Sequence, residues 1–529
     1  MWIKIIMLIL FFSCMIGIGI YCKKSATDVN GFVLGGRSVG PWLTAFAYGT
    51  SYFSAVVFVG YAGQFGWKYG IAATWAGIGN AILGSLLAWV VLGRRTRIMT
   101  QHLDSATMPQ FFESRFDSKG LKLASSALIF LFMIPYTASL YNGLSRLFEM
   151  AFHVPYELCV IVMATLTAVY VIVGGYMATA INDFIQGIIM LFGIVAVLVA
   201  ILNVHGGLSA ALASLGQVSD PAVSQAPGVF ASFFGPDPVG LLGVVILTSL
   251  GTWGLPQMVQ KFYAIKNEKQ IGKGTVISTL FALVVAGGCY FLGGFGRLYT
   301  EKLDVVNGAP SGGFDSVVPT MLEDLSPFLM AVVIILVLSA SMSTLSSLVM
   351  TSSSTLTLDF IRGLKKKEMN EKTKMILLRL LIALFILISA AIAIFQTKAG
   401  GESVKYIAQL MGISWGAMAG AFLAPFLYGL YSKKVTKAAV WVNMIFSTLV
   451  MVGCITPGIS SLYPAILKSP INAGAFCMLF GLILVPAVSA FTKKSDPQHI
   501  EKVFSCYERT VTVPVTDSIG VSGKEGDTK

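Results

Sequence analysis

A dense row of hydroxyl side chains lies within an apolar stretch that runs from about residue 327 into the 350s. Residues 339–347 contain six hydroxyls in nine positions. On a helix, positions 339, 343, 346 and 347 share one face. Hard cations such as sodium prefer oxygen ligands, so this face is a candidate ion site. The alternative is that small polar residues let membrane helices pack closely and that Ser and Thr bond back to their own helix.

One acidic residue, Asp183, lies well inside apolar sequence. A carboxylate at this depth is costly and predicts a function. With its span entering from the inside near Tyr176, Asp183 is expected about 10 Å deep, and Ser346 and Ser347 about 18 to 20 Å above the inner end of theirs. If the two helices touch, Asp183 and these hydroxyls would form an oxygen cage for a monovalent cation.

Composition places these residues in a membrane protein. The chain is 55% hydrophobic and only 12% charged, which is typical of an all-α integral membrane protein. The seven Cys show no paired spacing and the four His fall in or next to loops, so we expect no disulfide framework, no metal other than sodium, no organic cofactor and no enzyme. The sequence has no phosphate-binding loop, so an ion gradient, not ATP, should supply the energy.

Apolar segments of about 20 residues predict about thirteen transmembrane helices. They lie near 3–22, 42–62, 71–93, 121–150, 155–174, 177–202, 238–258, 275–296, 326–357, 375–396, 403–431, 435–456 and 470–491. The first segment lacks a small-residue cleavage site, so we interpret it as a retained helix. An odd number of spans puts the two ends of the chain on opposite sides of the membrane.

Charge predicts the orientation. Placing the N-terminus outside puts most of the 37 Lys and Arg residues in cytoplasmic segments, including Lys261, as the positive-inside rule requires. We therefore expect a multi-pass protein of the plasma (inner) membrane with a cytoplasmic C-terminus. The net charge of +12 is then explained by anionic lipid, without a nucleic-acid partner. The oligomeric state is not predicted.

Two predicted spans contain helix breakers at matching places. Gly49, followed by Thr50 and Ser51, weakens the second span, and Gly254 and Pro256 interrupt the seventh. Each is the first helix of a group of five, which indicates an inverted-repeat transporter with its site at the midplane. The predicted units are an extra N-terminal helix (1–24), two repeats (42–202 and 238–431), two accessory helices (432–491) and a cytoplasmic tail (492–529). Ordinary kinks are the alternative. The tail is short and polar, and we expect it to be unstructured after about Lys493.

The breaks and the helices that face them predict the solute contacts. The residues are Tyr52, Ser54, Thr252 and Trp253 at the breaks, with Tyr136 or Tyr141 and Gln409 or Trp415 completing the pocket. Packing or anchoring at the interface would also explain each aromatic residue on its own. The central parts of these helices contain no Lys or Arg, so a carboxylate solute would rely on helix N-termini, hydroxyls or a bound sodium ion.

Three motifs resemble those of the sodium:solute symporter family, to which the proline and pantothenate permeases belong. They are GGRSVG at 35–40, GGYMATAINDFIQ at 174–186 and MSTLS at 342–346. The resemblance runs from about residue 3 to 491. It implies a LeuT-like core of ten helices in two inverted repeats of five, whose first helices are discontinuous, with one helix added before the core and two after it.

The resemblance also implies two ion sites. A sodium site shared across the family would use the carbonyls of Thr50, Phe53 and Ala340 with the side chains of Ser343 and Thr344. A second sodium site, found in part of the family, would use the four side chains Asp183, Ser343, Ser346 and Ser347. Two sodium ions per cycle are therefore expected.

The same resemblance bears on the solute. Where proline permeases carry an acidic residue in the first broken helix, this chain has Tyr52, and their aromatic residues in the second align with Thr248 and Thr252. Short motifs at 51–55, 68–70, 181–183 and 254–256 look more like pantothenate permeases.

We therefore predict a sodium-coupled symporter that imports a small organic solute by alternating access. The solute would be a monocarboxylate, vitamin or amino acid, with a pantothenate-like compound favoured. Sodium/proline symport and proton-coupled symport are the alternatives within this class. A channel, a sensor and a membrane enzyme are the alternatives outside it.

Overall fold

A computed structural model describes residues 2–152, 154–221, 223–224, 226–306, 308–364, 369–398 and 407–508. The first half of the described chain contains α1 (Trp2–Cys22), α2 (Val29–Leu34), α3 (Pro41–Thr50), α4 (Ala62–Tyr69), α5 (Thr74–Gly79), α6 (Arg94–His102), α7 (Met108–Phe116), α8 (Lys119–Phe152), α9 (Tyr156–Val204) and α10 (Leu208–Gln217). Short π-helical segments continue several of these helices at Val56–Tyr61, Asn80–Leu87 and Trp89–Gly93.

The second half of the described chain is also mainly helical. It contains α11 (Pro238–Gly254), α12 (Pro256–Ala264), α13 (Ile271–Gly293), α14 (Val317–Leu322), α15 (Pro327–Thr355), α16 (Arg362–Leu364), α17 (Glu371–Lys398), α18 (Ile407–Tyr431), α19 (Lys437–Ile455), α20 (Pro470–Phe491) and α21 (Pro497–Phe504). A π-helical segment, Leu356–Ile361, extends α15. The short strands β1 (Val305–Val306) and β2 (Ala309–Pro310) pair antiparallel.

Within the described residues, ten helices are long and apolar enough to cross a membrane, and the bent pair α11 and α12 makes eleven. The sequence predicts about thirteen because it divides α9 into two spans and counts 42–62 and 71–93 as separate spans, whereas Val56–His102 is one continuous helical stretch. A straight helix of the 49 residues of α9 would measure about 74 Å, more than twice the hydrocarbon thickness of a bilayer. At Gly175, however, φ is +58° and ψ is −156°, so the helix direction changes there, between the predicted spans 155–174 and 177–202.

Helix starts follow local sequence rules. Proline occupies the first turn of α3, α11, α12 and α15, where its missing N–H costs nothing. Asp237 caps α11 by accepting from the N–H of Gly240, and Ser326 caps α15 by accepting from that of Leu329. These signals fix where α11 and α15, two helices that contribute to the candidate site, begin.

Both predicted breaks are present. Helix α3 ends at Thr50 and residues 51–54 are not helical. Helix α11 ends at Gly254 and α12 begins at Pro256, with Leu255 extended between them and a bend of 45°. Pro256 cannot donate a backbone hydrogen bond to the preceding turn, so it ends α11 and starts α12.

The core lies around α15 and α18. In the most apolar 18-residue stretch of α18, 94% of the residues are buried within the protein. The corresponding fraction is 83% for α15 and 22% for α1. Helix α15 packs against α9, α8 and α3, and α18 packs against α8, α11 and α20. A row of hydroxyls on α15 is therefore enclosed by protein and does not face lipid.

The C-terminal segment corrects one expectation. The polar tail from 492 was predicted to be unstructured, but α21 packs on the bundle through Ile500, Val503 and Phe504, which are buried. Tyr507 donates its hydroxyl hydrogen to the carbonyl of Arg95 at 3.2 Å. Because these apolar residues share one face of a short helix, the segment has a surface to bury. Residues 509–529 of the predicted tail, and 403–406 of the eleventh predicted span, lie outside the described residues.

Candidate sodium and solute sites

The five groups of the predicted shared sodium site form one cluster. The Ser343 hydroxyl lies 3.1 Å from the carbonyl oxygens of both Thr50 and Ala340. The Thr344 hydroxyl lies 3.2 Å from the Thr50 carbonyl oxygen, 3.5 Å from that of Phe53 and 3.1 Å from that of Ala340. Three carbonyls and two hydroxyls thus converge between α15 and the break after α3.

The break explains why the carbonyls of Thr50 and Phe53 are free to face α15. In a continuous helix the carbonyl of Thr50 would accept from the N–H of residue 54, four positions on. Here the helix ends at Thr50, and that carbonyl instead faces Ser343 and Thr344. An uncharged set of oxygens of this kind suits a weakly bound monovalent hard cation better than a divalent one, which usually takes carboxylates.

The residues of the predicted second sodium site are arranged differently. Asp183 is fully buried, and neither carboxylate oxygen accepts a hydrogen bond from the described residues. Its oxygen Oδ2 lies 3.9 Å from the Lys261 ammonium, which in turn donates to the Ser347 hydroxyl at 3.0 Å. The Ser346 hydroxyl donates to the carbonyl of Ser343.

Lys261 corrects an expectation about charge. The sequence assigned it to a cytoplasmic segment, but it is only 3% exposed, because α12 continues inside the protein after the break. Gln257, Gln260 and Lys261 follow the i, i+3, i+4 spacing of one helix face, and all three are buried. That polar face, next to aromatic Phe262 and Tyr263, is the signal from which a buried lysine could have been predicted.

Three of the predicted solute residues meet at the first break. The rings of Tyr52 and Trp415 stack with centroids 5.6 Å apart, and Tyr136 contacts Trp415 edge-on at 6.0 Å. The Tyr52 hydroxyl donates to the carbonyl of Thr248 on α11 at 2.7 Å. Ser54 lies beside the Tyr136 hydroxyl. These residues form an aromatic wall between the two broken helices.

Thr252 and Trp253 face a different neighbour. The Thr252 hydroxyl donates to the carbonyl of Gly84 at 3.0 Å, and the Trp253 indole N–H donates to the carbonyl of Leu83 at 2.8 Å. Both side chains therefore hold α11 against the π-helical segment Asn80–Leu87. Tyr141 is buried, and its hydroxyl has no hydrogen-bond partner among the described residues.

Gln409 lies apart from the aromatic wall. It lines a polar cavity of about 690 Å³ that also contains Lys68, Asp237 and Asn472. Gln409 lies six positions before Trp415 on α18, a distance of about 9 Å along the helix axis. Sequence reasoning did not identify Gln64, another residue of this cavity, or the pair Asn80 and Tyr290, whose polar groups face each other near Thr248.

The opposite end of the broken helices is closed. Arg37 donates to the carbonyl of Ser105 at 2.7 Å and lies 3.5 Å from those of Thr100 and Tyr263. Burial lowers the pKa of Arg37, while nearby Asp104 acts in the opposite direction. Just beyond it, Val39 forms two main-chain bonds, from its N–H to the carbonyl of Ala264 and from the N–H of Lys266 to its carbonyl.

Comparisons with known proteins agree on one family. The family model described as the sodium:solute symporter family matches residues 32–452. The sodium/proline symporter of Staphylococcus aureus (strain JH9) is 31% identical over 462 residues, which cover 85% of each chain. Among solved structures, a sodium-coupled sialic acid symporter in a substrate-bound, outward-open state matches with a TM-score of 0.71 at 17% identity, over 93% of this chain and 99% of that one. At this identity, that structure indicates a shared fold and not a shared solute.

Proposed function

Because the chain belongs to the sodium:solute symporter family, we propose that it imports a small carboxylate-bearing solute together with sodium by alternating access. It is a multi-pass membrane transporter and not an enzyme. The solute, the number of ions and the orientation in the membrane are proposals.

The cluster formed by Thr50, Phe53, Ala340, Ser343 and Thr344 carries the proposal. It brings the row of hydroxyls on α15 together with the main-chain carbonyls at the break after α3. A sodium ion bound there would hold the broken segment against α15. Coupling then follows from linkage, because an ion that stabilises the solute-competent arrangement must itself bind more tightly when solute is present.

The aromatic wall limits the solute. Tyr52, Tyr136 and Trp415 offer ring faces and no formal charge, so they suit the apolar part of a small molecule. The names of the relatives favour proline, whereas the short motifs around Tyr52 favour pantothenate. We place proline first because the similarity to the sodium/proline symporter extends over 85% of the chain. We place pantothenate second.

The direction of transport rests on which side is closed. The polar cavity with Lys68 and Asp237 lies on the side from which α11 starts, and the Arg37 closure lies where α12 ends. We infer that the polar cavity faces outward and that the Arg37 end, with its cluster of basic residues, faces the cytoplasm of a plasma (inner) membrane. The structure thus supports an outward-facing arrangement in which solute and sodium enter from outside.

Uptake into proteoliposomes tests the proposal. Labelled L-proline and labelled pantothenate are supplied in turn, with an inward sodium gradient or with choline in its place. We expect one of the two to accumulate only with sodium. Replacement of both Ser343 and Thr344 by Ala should abolish that accumulation, whereas Ser341→Ala should preserve it. Ser341 is the matched control, because its buried hydroxyl donates to the carbonyl of Val337 in its own helix.

The alternative ion is the proton, favoured by the buried carboxylate of Asp183. An inward proton gradient without sodium gives the deciding measurement. Accumulation under that gradient, unaffected by the Ser343 and Thr344 replacements, would show that the transporter is coupled to protons and that the oxygen cluster is structural.

A further inference from the structure

Lys261 is an ammonium buried at the place predicted for a second sodium ion. It lies between Asp183 of α9 and Ser347 of α15, 3.9 Å from Oδ2 of the carboxylate and 3.0 Å from the hydroxyl. The Tyr176 ring covers it with the centroid 5.2 Å from Nζ. The Ser347 hydroxyl also contacts the Ser51 hydroxyl of the first break, at 2.6 Å. One cation of the chain itself thus connects three helices.

Lys261 supplies the positive charge that a bound ion would otherwise supply at this place. A carboxylate enclosed by protein needs a compensating positive charge, and Asp183 has Lys261 beside it. A lysine ammonium is a compact single charge, as a sodium ion is. The Ser347 oxygen that would coordinate sodium already accepts a hydrogen bond from this ammonium. A sodium ion added to the same carboxylate would be repelled by the lysine and would compete for the same oxygen.

We propose that Lys261 is a tethered cation that takes the place of the second sodium ion, so that this transporter binds one sodium per cycle, at the shared site. The inference rests on the proposed function, because it assumes that the Ser343 and Thr344 cluster binds sodium. Lys261 belongs to α12, in the second broken helix. Its ion pair with Asp183 and its hydrogen bond to Ser347 hold α12 against α9 and α15 for as long as they are intact. That contact then does not depend on the sodium concentration, whereas the contact at the shared site does.

Binding of radiolabelled sodium to the purified full-length protein tests the proposal. We expect the wild type to bind about one ion at saturation, and Lys261→Ala to bind about two, because removal of the ammonium opens the Asp183 cage to sodium. Asp183→Asn should still bind one ion, since Asp183 is paired with lysine in the wild type. The double variant Lys261→Ala, Asp183→Asn should also bind one, because it has neither the lysine nor the charge that would attract a second ion.

The variants also separate the possible failures. Two ions in the wild type, with one lost in Asp183→Asn, would overturn the role of Lys261 while leaving sodium symport intact. No bound sodium in the wild type would instead contradict the proposed function. One ion in a folded Lys261→Ala protein would likewise overturn the role of Lys261. If Lys261→Ala does not fold, Lys261→Gln, which keeps a polar side chain beside Ser347, is expected to bind two ions in its place. Lys266→Ala, which changes an exposed lysine near the end of the same segment, should bind one ion.

Discussion

Tyr52 in the first broken helix donates its hydroxyl hydrogen to the main-chain carbonyl of Thr248 in the second, at 2.7 Å. The same ring stacks on Trp415. One side chain therefore joins the two interrupted helices and forms part of the wall proposed for the solute. Solute binding and the relative position of the broken helices should be coupled through this residue.

Tyr52→Phe tests that coupling. The change keeps the ring on Trp415 and removes the hydrogen bond, which is worth about 1 kcal/mol. We therefore expect the solute concentration for half-maximal uptake to rise about fivefold. Tyr428→Phe is the matched control, because it removes a similar bond to the Leu482 carbonyl, at 2.8 Å, away from the breaks. Equal effects of the two changes would mean that Tyr52 contributes only packing.

Arg37→Gln should loosen the closed end of the broken helices. The guanidinium group reaches the carbonyls of Ser105, Thr100 and Tyr263, and a shorter amide cannot reach all three. We expect faster hydrogen exchange in 100–105 and 263–266 and weaker accumulation of solute. Arg94→Gln is the control, because the side chain of Arg94 is 61% exposed. Unchanged exchange in both segments would show that Arg37 does not hold this end closed.

Gly293→Ala should destabilise the protein. A Cβ atom at Gly293 would lie 2.1 Å from the carbonyl oxygen of Ala62, so α13 and α4 meet main chain to main chain. Overpacking of this kind costs about 1 to 3 kcal/mol, and the detergent-solubilised protein should melt at a lower temperature. Gly287→Ala on the same helix is the control, since its Cβ would meet nothing within 4 Å. A melting temperature equal to that of the control would contradict the close contact.

Cys506 should react slowly with thiol reagents, and from one side only. Burial raises the pKa of its thiol to about 11, so at pH 7 to 9 the thiol is almost wholly protonated and labelling should accelerate about tenfold per pH unit. A membrane-impermeant maleimide, followed by peptide mapping, should label it in inside-out vesicles. Labelling in right-side-out vesicles would reverse the proposed orientation, and Cys506→Ser provides the blank.

The sequence was enough to predict the family, the all-helical membrane fold and the two breaks, and the structure and comparisons confirm these. Each of these predictions rests on a local signal in the sequence, such as Pro256 shortly after Gly254, or on several motifs that occur in the family's order along the chain. The site assignments stay predictions, although the structure does bring Ser343 and Thr344 to the carbonyls of Thr50 and Phe53. The polar face of α12 could have indicated that Lys261 is buried. Its contacts with Asp183 and Ser347 could not be predicted, because they depend on the direction that α12 takes after the bend, which is a tertiary property.

The paired main chain at Val39 has a consequence for how the transporter tolerates change. Val39 ties the start of α3 to the end of α12 through its own N–H and carbonyl, to Ala264 and Lys266, and almost any amino acid provides those two groups. Most side-chain replacements at these positions would therefore leave the two main-chain bonds intact. Proline at position 39 or 266, which lacks the N–H, would remove one of them. The main-chain contact between α3 and α12 can thus persist while the surrounding side chains diverge to suit other solutes.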